Sequence, residues 1–557
     1  MKMLSRGERD SKLHVVVKSL LSKLTAAQTN ILSAAVVLMS AVFASRILGL
    51  IRDRTLTSNF NTADLGVFFA AFRFPDMLFQ LLVMGALSTA FIPVVSGLLA
   101  KDKEKEAWKA SSSLINIGLL VFFVLAIIFA IFANPVSRLL APGFNNEQIK
   151  TMANLSRIMI FSQIFFVISN FFTGLLQSYK RFLIPAIAPI LYNLGIIIGT
   201  VFLSAPYGIY GPALGVALGT FLHFVIQWPS VLKLGYRHLW VIDLKDQNLR
   251  EVGKLVLPRT FGLAVNQISY TVEVILGSLL SAASVTALNL SFHLAQLPIG
   301  LFGATIGQAA LPSLSEQNGK EDKESFKRIF LSSFHFILYL VLPASVILAV
   351  LKVPIVRLVF GAQKFDWWST VLTARVLLAL SLGIWAQSLI HLLARAFYAL
   401  HDSKTPVILG AITAAIGILI SVVFVLILKL PAWSLALASS VADILYAVFL
   451  FYFLQRKVGA FHKSEVIIPF LKMFIATIIT GISLYIPLKL LDQLVFDTTR
   501  TINLIALTGT VGFIGLSVYV FLTWLLEIKE AETFLRLLKK VGNYRINLLS
   551  TKEVIVP

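Results

Sequence analysis

The sequence predicts an all-α, polytopic membrane protein of about fourteen transmembrane helices, built as two parallel six-helix repeats, an N-lobe and a C-lobe, plus two C-terminal helices. Three observations predict it: an apolar composition, a regular succession of apolar runs and an internal duplication. Of 557 residues, 57% are hydrophobic and only 13% charged, and the mean hydropathy is +0.85. An average soluble domain carries about 25% charged residues, so most of this chain must face lipid or other apolar helices.

A helix needs about 20 mostly apolar residues to cross a bilayer. Runs of that kind fall near 31–51, 65–99, 112–134, 152–179, 183–204, 208–232, 253–281, 286–313, 327–351, 368–400, 406–428, 433–455, 465–488 and 503–526. The second, fourth, eighth and tenth are longer than a bilayer requires, and the second and eighth contain Pro and Gly. That predicts bent or tilted helices around a cavity, because irregular backbone at membrane depth must be covered by protein or water.

The 48 Lys and Arg against 27 Asp and Glu give a net charge of +21. They are scattered through short loops rather than gathered in one stripe, which argues against a nucleic-acid partner and for membrane topology. With the N-terminus inside, most of them fall in cytoplasmic segments, among them Lys101, Lys103, Lys105 and Lys109, the 233–254 connection and the segment after Leu526. Both termini are therefore expected in the cytoplasm. The first apolar run lacks a small-residue cleavage site, so no removable signal peptide is expected. The predicted organisation is a basic cytoplasmic segment over 1–30, the N-lobe over 31–232, a cytoplasmic connection over 233–252, the C-lobe over 253–455, two further helices over 456–526, and a cytoplasmic tail over 527–557.

The duplication rests on six anchors that recur in the same order about 220 residues apart. Arg46-x-x-Gly49-Leu50 pairs with Arg259-x-x-Gly262-Leu263, Pro75 with Pro298, and Pro93 with Pro312. Pro135-x-x-Arg138-Leu139 pairs with Pro354-x-x-Arg357-Leu358, Arg157 with Arg375, and Pro185 with Pro406. Six spans per repeat is an even number, so both halves enter the bilayer in the same sense. Parallel repeats of this kind are a transporter architecture, with a substrate site expected between the halves near the midplane.

No motif supports covalent catalysis: G-x-x-x-x-G-K-[ST], H-E-x-x-H and G-x-S-x-G are all absent. There is no Cys, hence no disulfide framework or thiol metal site, and no cofactor or metal is expected. The informative residues are charges inside spans, each of which must face a cavity or a partner. The first repeat supplies Arg46, Arg52, Asp53 and Arg73. Arg46 and Asp53 are two helical turns apart and share a face if the helix continues that far; Ser45 and Gly49 allow close helix contact. Guanidinium groups in a watery cavity suit a phosphate-bearing substrate. The alternative for Arg52 and Arg54 is that they reach the outer interface and pair with Asp53. In the second repeat, Arg259 matches Arg46, and Glu273 and His293 sit inside spans. Glu273 is a candidate ion-coupling site or half of a salt bridge; His293 titrates near neutrality or is simply hydrogen-bonded.

Several strings carry a resemblance: S-R-I-L-G-L-I-R-D at 45–53, F-R-F-P-D at 72–76, G-A-L-S-T-A-F-I-P at 85–93, A-P-G-F at 141–144, P-I-V-R-L-V-F-G at 354–361 and A-R-A-F-Y-A-L-H-D-S-K-T-P at 394–406. Together they closely resemble the MurJ (MviN) family of lipid II flippases, within the superfamily of multidrug and polyprenyl-oligosaccharide exporters. The resemblance implies two six-helix lobes around a cationic cavity in the bacterial cytoplasmic (inner) membrane. It implies transport of a polyprenyl-diphosphate lipid by alternating access, and Na+, H+ or membrane-potential coupling. The last two helices would form a groove for the lipid tail, and cell-wall synthesis proteins are partners in prospect. Arg46, Arg52, Asp53 and Arg73 match the family's functional positions. The chain departs from the pattern at Phe79, Gln80 and Val83-Met84-Gly85-Ala86, where the family has an Arg pair followed by A-E-G-A, and at His293, where it has Arg. Those departures leave open a flippase for another polyprenyl-linked glycan, a cation-coupled exporter or a transport-dead scaffold.

Overall fold

The computed structural model describes residues 31–84, 91–243, 247–494 and 500–536, and their side chains except at 31–40, 247–259, 261 and 493–494. The predicted 1–30 segment, Gly85, Ala86 and most of the tail lie outside the described residues. Every regular element among those described is helical, and one isolated bridge joins Ala362 to Phe365.

In the first repeat α1 is Ile31–Asn59, and α2, Thr62–Phe79, passes into a π-helical turn at Gln80–Met84. Then follow α3 (Ile92–Leu99), α4 (Glu104–Ile131), α5 (Ala133–Leu140), α6 (Asn146–Ser178), α7 (Leu183–Tyr207) and α8 (Tyr210–Leu232). The second repeat runs α9 (Gln247–Leu280), α10 (Ala282–Pro298) with a π turn at Ile299–Ala304, α11 (Thr305–Gly319), α12 (Lys323–Val350) and α13 (Lys352–Phe360). It ends with α14 (Trp367–Ser381), α15 (Ile384–Ala399), α16 (Lys404–Val422) with a π turn at Val423–Ile427, and α17 (Trp433–Val458). The two extra helices are α18 (Lys463–Leu494) and α19 (Thr501–Leu525).

The duplication extends to the backbone. Both π turns that follow a proline-bearing helix come at the same place, in the second and eighth predicted spans, where Pro and Gly predict a bend. Left-handed residues recur too: Asp102, Lys180, Gly208 and Gly235 in the first repeat, and Glu321, His401, Lys429 and Gly459 in the second. Each lies just past a helix end, where this conformation turns backbone N–H groups onto otherwise unpaired carbonyls. Thus Lys180 N–H donates to Gln177 O (2.9 Å) and Arg181 N–H to Leu176 O (2.8 Å), as His401 N–H donates to Tyr398 O (3.0 Å) and Asp402 N–H to Phe397 O (2.9 Å). One difference stands out: α6 is unbroken, whereas its counterpart is bent by 45° between α14 and α15.

Among the described residues twelve helices are long and apolar enough to cross a membrane, or thirteen with the bent α14–α15 pair counted as one span. The difference from the fourteen expected is α1, whose first ten side chains lie outside the described ones. Exposed Phe123, Phe202, Ile479 and Phe513 are the surface that lipid would cover.

The chain divides into two compact units, 1–286 with 360–366, and 287–359 with 367–557. In the first, phenylalanines form the core, with Phe74 stacked on Phe129 at 4.2 Å and Phe91 edge-on to Phe171 at 5.3 Å. Helices α7 and α8 approach backbone to backbone: a Cβ on Gly195 would lie 2.3 Å from Gly219 Cα, and one on Gly199 2.3 Å from Gly215 Cα. This is the small-residue packing that replaces the hydrophobic effect as a source of helix association in lipid. In the second unit α18 and α19 pack on the end of α12 through Leu351, Leu484, Leu507 and Val511, and Gly303 meets Ser388 Cα at 2.6 Å from its hypothetical Cβ.

Candidate functional site: a charged cluster in the first unit

Helix α1 runs unbroken through Arg46 and Asp53, so the two positions share a face as the spacing predicts. Their surroundings differ. Arg46 is exposed, like Val42, Phe43 and Ile47 around it. No atom lies within 4 Å of a Cβ built on Gly49, so of the two small residues only Ser45, which meets Asn193 of α7, touches a neighbouring helix. A turn later the helix is covered, and Asp53 is only 1% exposed.

Asp53 pairs with its neighbour. Successive helical residues do not face each other, so the Arg52 side chain folds back to bring Nε within 3.0 Å and Nη2 within 2.8 Å of Asp53 Oδ1. Its Nη1 donates to Asn193 Oδ1 of α7 at 3.0 Å. Asn193 in turn donates to Pro189 O (3.1 Å) and, at 3.4 Å, to Ser45. Arg52 thus pairs with Asp53, and its side chain is 18% exposed.

Arg73, on α2, is buried and clasps α9. Its Nε donates to Thr271 Oγ1 (3.0 Å), and Nη2 to the Gln267 carbonyl (2.8 Å) and to the Gln267 side-chain oxygen. Asp76 Oδ2 lies 3.9 Å from Nη1, and the Tyr270 ring centroid 5.8 Å from the guanidinium carbon. Half-buried Glu273 acts electrostatically on Arg73, and Tyr192, next to Asn193, on both Arg52 and Asp76. Asp76 is bonded to Gln80, the first residue of the π turn. Arg52, Asp53, Tyr192, Asp76, Arg73 and Glu273 therefore form one chain of interacting groups across α1, α7, α2 and α9.

His293 is half-buried on α10 in the second unit. Arg259 lies on α9, with its side chain outside the described ones. At the departures from the family pattern, Phe79 is buried, its ring 4.8 Å from Phe166, while Gln80 and Met84 begin and end the π turn. Sequence reasoning passed over Tyr192, Asn193, Gln267 and Thr271. The signal for Asn193 was a lone amide in the apolar run of α7; Gln267 and Thr271 sit one helical turn apart on α9, facing Arg73. Among the described residues no group of three or more His, Asp or Glu is placed to hold a metal ion.

A guanidinium fixed by a buried carboxylate and an amide, on a side chain 18% exposed, is a group suited to an anionic head group. Comparison with known proteins points the same way. Residues 59–504 match the model of a family described as lipid II flippase MurJ. The chain is 30% identical over 496 residues to a probable lipid II flippase MurJ of Thermotoga maritima, covering 89% of this chain and 96% of the relative. It is 28% identical to a probable lipid II flippase MurJ of Buchnera aphidicola subsp. Acyrthosiphon pisum, covering 88% and 96%. Among solved structures it is similar to a lipid II flippase MurJ in an inward closed conformation, with TM-score 0.73, 26% identity and coverage of 87% and 98%. An inward-facing multidrug MATE transporter of the MOP superfamily, 14% identical at TM-score 0.63 over 76% of this chain and 98% of that one, shares the fold.

Proposed function

The chain belongs to the lipid II flippase MurJ family, and on that premise we propose that it moves lipid II, the polyprenyl-diphosphate-linked peptidoglycan precursor, across the bacterial cytoplasmic membrane. It is a membrane transporter, not an enzyme. The observation that carries the assignment of chemistry is Arg52 on α1, fixed by Asp53 and Asn193 with its side chain 18% exposed. Arg46, exposed on the same helix, is the second cation for the diphosphate; Arg73, Arg259 and His293 complete the proposed set. Transport proceeds by alternating access, with both termini in the cytoplasm as the basic loops imply. Energy comes from an Na+ or H+ gradient or the membrane potential, with Glu273 the coupling residue. Cell-wall synthesis proteins are the proposed partners.

A second reading is favoured by Phe79. A buried aromatic ring stands where the family carries a cation, so this chain offers a head group less positive charge, and a different polyprenyl-linked glycan is its alternative cargo. Translocation measured in vesicles with lipid II and with a polyprenyl diphosphate bearing another sugar separates the two. Faster movement of lipid II supports the first reading; movement of the other glycan alone overturns it.

A further inference from the structure

Residues 236–243 follow α8 and return along α4 instead of running off into the connection between the repeats. The contacts are ordered by depth. Lys109 Nζ pairs with Asp243 Oδ2 at 2.8 Å. One turn further along α4, Ser112 Oγ is 2.8 Å from Tyr236 OH and accepts from Leu239 N–H at 3.1 Å, and Ser113 Oγ accepts from Asp243 N–H at 3.1 Å. Deepest, Asn116 Nδ2 donates to Leu239 O (2.8 Å) and Val241 O (3.0 Å). The strap therefore descends to Asn116 and climbs back. Asn116 is seven residues beyond Lys109, about 10 Å along the helix.

One donor order satisfies the whole network. Leu239 N–H donates to Ser112, Ser112 to Tyr236, and Tyr236 to His238 Nδ1 at 3.1 Å; His238 Nε2–H donates to Asn116 Oδ1 at 2.9 Å. Burial pushes the Tyr236 phenol up to about 12, so it remains a donor, and lowers His238, so the ring stays neutral. Non-helical backbone with its polar groups satisfied by protein is what a bilayer tolerates. The helix supplying those partners contains the most apolar window of the candidate spans among the described residues, and Ser112, Ser113 and Asn116, all buried, are bonded to the strap.

Apart from Arg237, the exposed side chains of the strap are apolar. Leu239 is 41% exposed, Trp240 87% and Ile242 49%, and the surface continues along α4 into exposed Leu120, Val121 and Phe123. A tryptophan at such a level is the residue type that anchors proteins at the lipid interface. We propose that residues 236–243 form a re-entrant strap inserted into the bilayer, with Leu239, Trp240 and Ile242 embedded among lipid and the α4 side chains closing its backbone. Part of the connection between the repeats is then fixed in the membrane rather than free in the cytoplasm.

The chain has no native Cys, so single-cysteine variants of the full-length protein report without background. A nitroxide on Trp240→Cys is compared, in phosphatidylethanolamine and phosphatidylglycerol vesicles, with the same label on Phe123→Cys and Lys103→Cys. The readout is relative collision with oxygen, which partitions into lipid, and with a water-soluble nickel chelate. The strap predicts that the Trp240 label groups with Phe123. Adding Asn116→Ala is expected to release the apex and shift the ratio towards that of Lys103; if that variant does not fold, the Trp240 label alone decides. Grouping with Lys103 puts the strap in water and overturns the proposal. Protection from both reagents overturns it as well, since a protein partner rather than lipid would then cover Trp240.

Discussion

Near the end of α2, Arg73 and Asp76 flank Pro75 ahead of a π turn; at the matching place on α10, Gln296 and Ile299 flank Pro298 ahead of another. On the first helix of each repeat, Arg52 and Asp53 are matched by Val265 and Asn266. The two repeats share helix order, π turns and left-handed caps, yet the Arg52–Asp53 pair and the buried Arg73 of the first have no charged counterpart at the matching positions of the second. The difference teaches that the duplicated backbone is a scaffold indifferent to the charge it carries, and that charge was placed where partners exist to hold it. Arg52 is held by Asp53 and Asn193 within the first repeat, and Arg73 by Gln267 and Thr271 on α9, the first helix of the second. In the second unit, Arg395 donates to the carbonyl of Ala304, at the end of the π turn, at 3.1 Å, serving the backbone.

The largest effect is expected from breaking the pair that the second repeat lacks. Arg52→Ala strands the buried Asp53 carboxylate and is expected to cost about 3–5 kcal/mol, read as loss of thermal stability in detergent, together with loss of transport. Val265→Ala, at the equivalent position, should leave transport in place. If both variants behave alike, the asymmetry between repeats has no functional content.

Next comes Arg73→Gln, which writes the second repeat's residue into the first. Losing charge-assisted hydrogen bonds to α9 is expected to cost about 1.5–3 kcal/mol, measured by denaturation. An unchanged midpoint would mean the clasp on Gln267 and Thr271 is not made in solution. Glycine sharpens the comparison within one repeat. Gly195→Ala, whose Cβ would meet the α8 backbone, should destabilise by about 1–3 kcal/mol. Gly49→Ala, with open space around it, should stabilise α1 by about 0.5–1 kcal/mol.

The smallest effect concerns the strap. His238 is held below its ordinary value of 6.5 by burial, so the released strap takes up a proton before the closed one does. Closure is therefore complete above that value and weakens as pH falls through it. The label on Trp240→Cys should become more water-accessible between about pH 8 and 5.5, and His238→Phe should remove the dependence.

Much of the plan was legible in the sequence because its signals are local or periodic. Pro75 and Pro298, with the glycines that follow, announced two bent spans, and the recurring Arg, Gly and Pro anchors announced the duplication. Arg52 and Asp53 were visible as charges that lipid does not tolerate. What stayed hidden depends on partners far along the chain: Gln267 is 194 residues from Arg73, and Leu239 is 127 from Ser112. Nothing in S-S-S-L-I-N at 111–116 distinguishes a strap-binding ladder from ordinary small residues on a membrane helix. Gly49 failed as a guide for the complementary reason: a small residue permits close approach, but only a neighbouring helix at that level makes it.

The central claim is that the first repeat's ion pair serves transport of lipid II, and complementation tests it most directly. The chain, its Arg52→Ala variant and its Val265→Ala variant are expressed in a bacterium depleted of its own lipid II flippase, with membrane levels matched. The account predicts survival with the parent chain and with Val265→Ala, and death with Arg52→Ala. Survival with Arg52→Ala would contradict it.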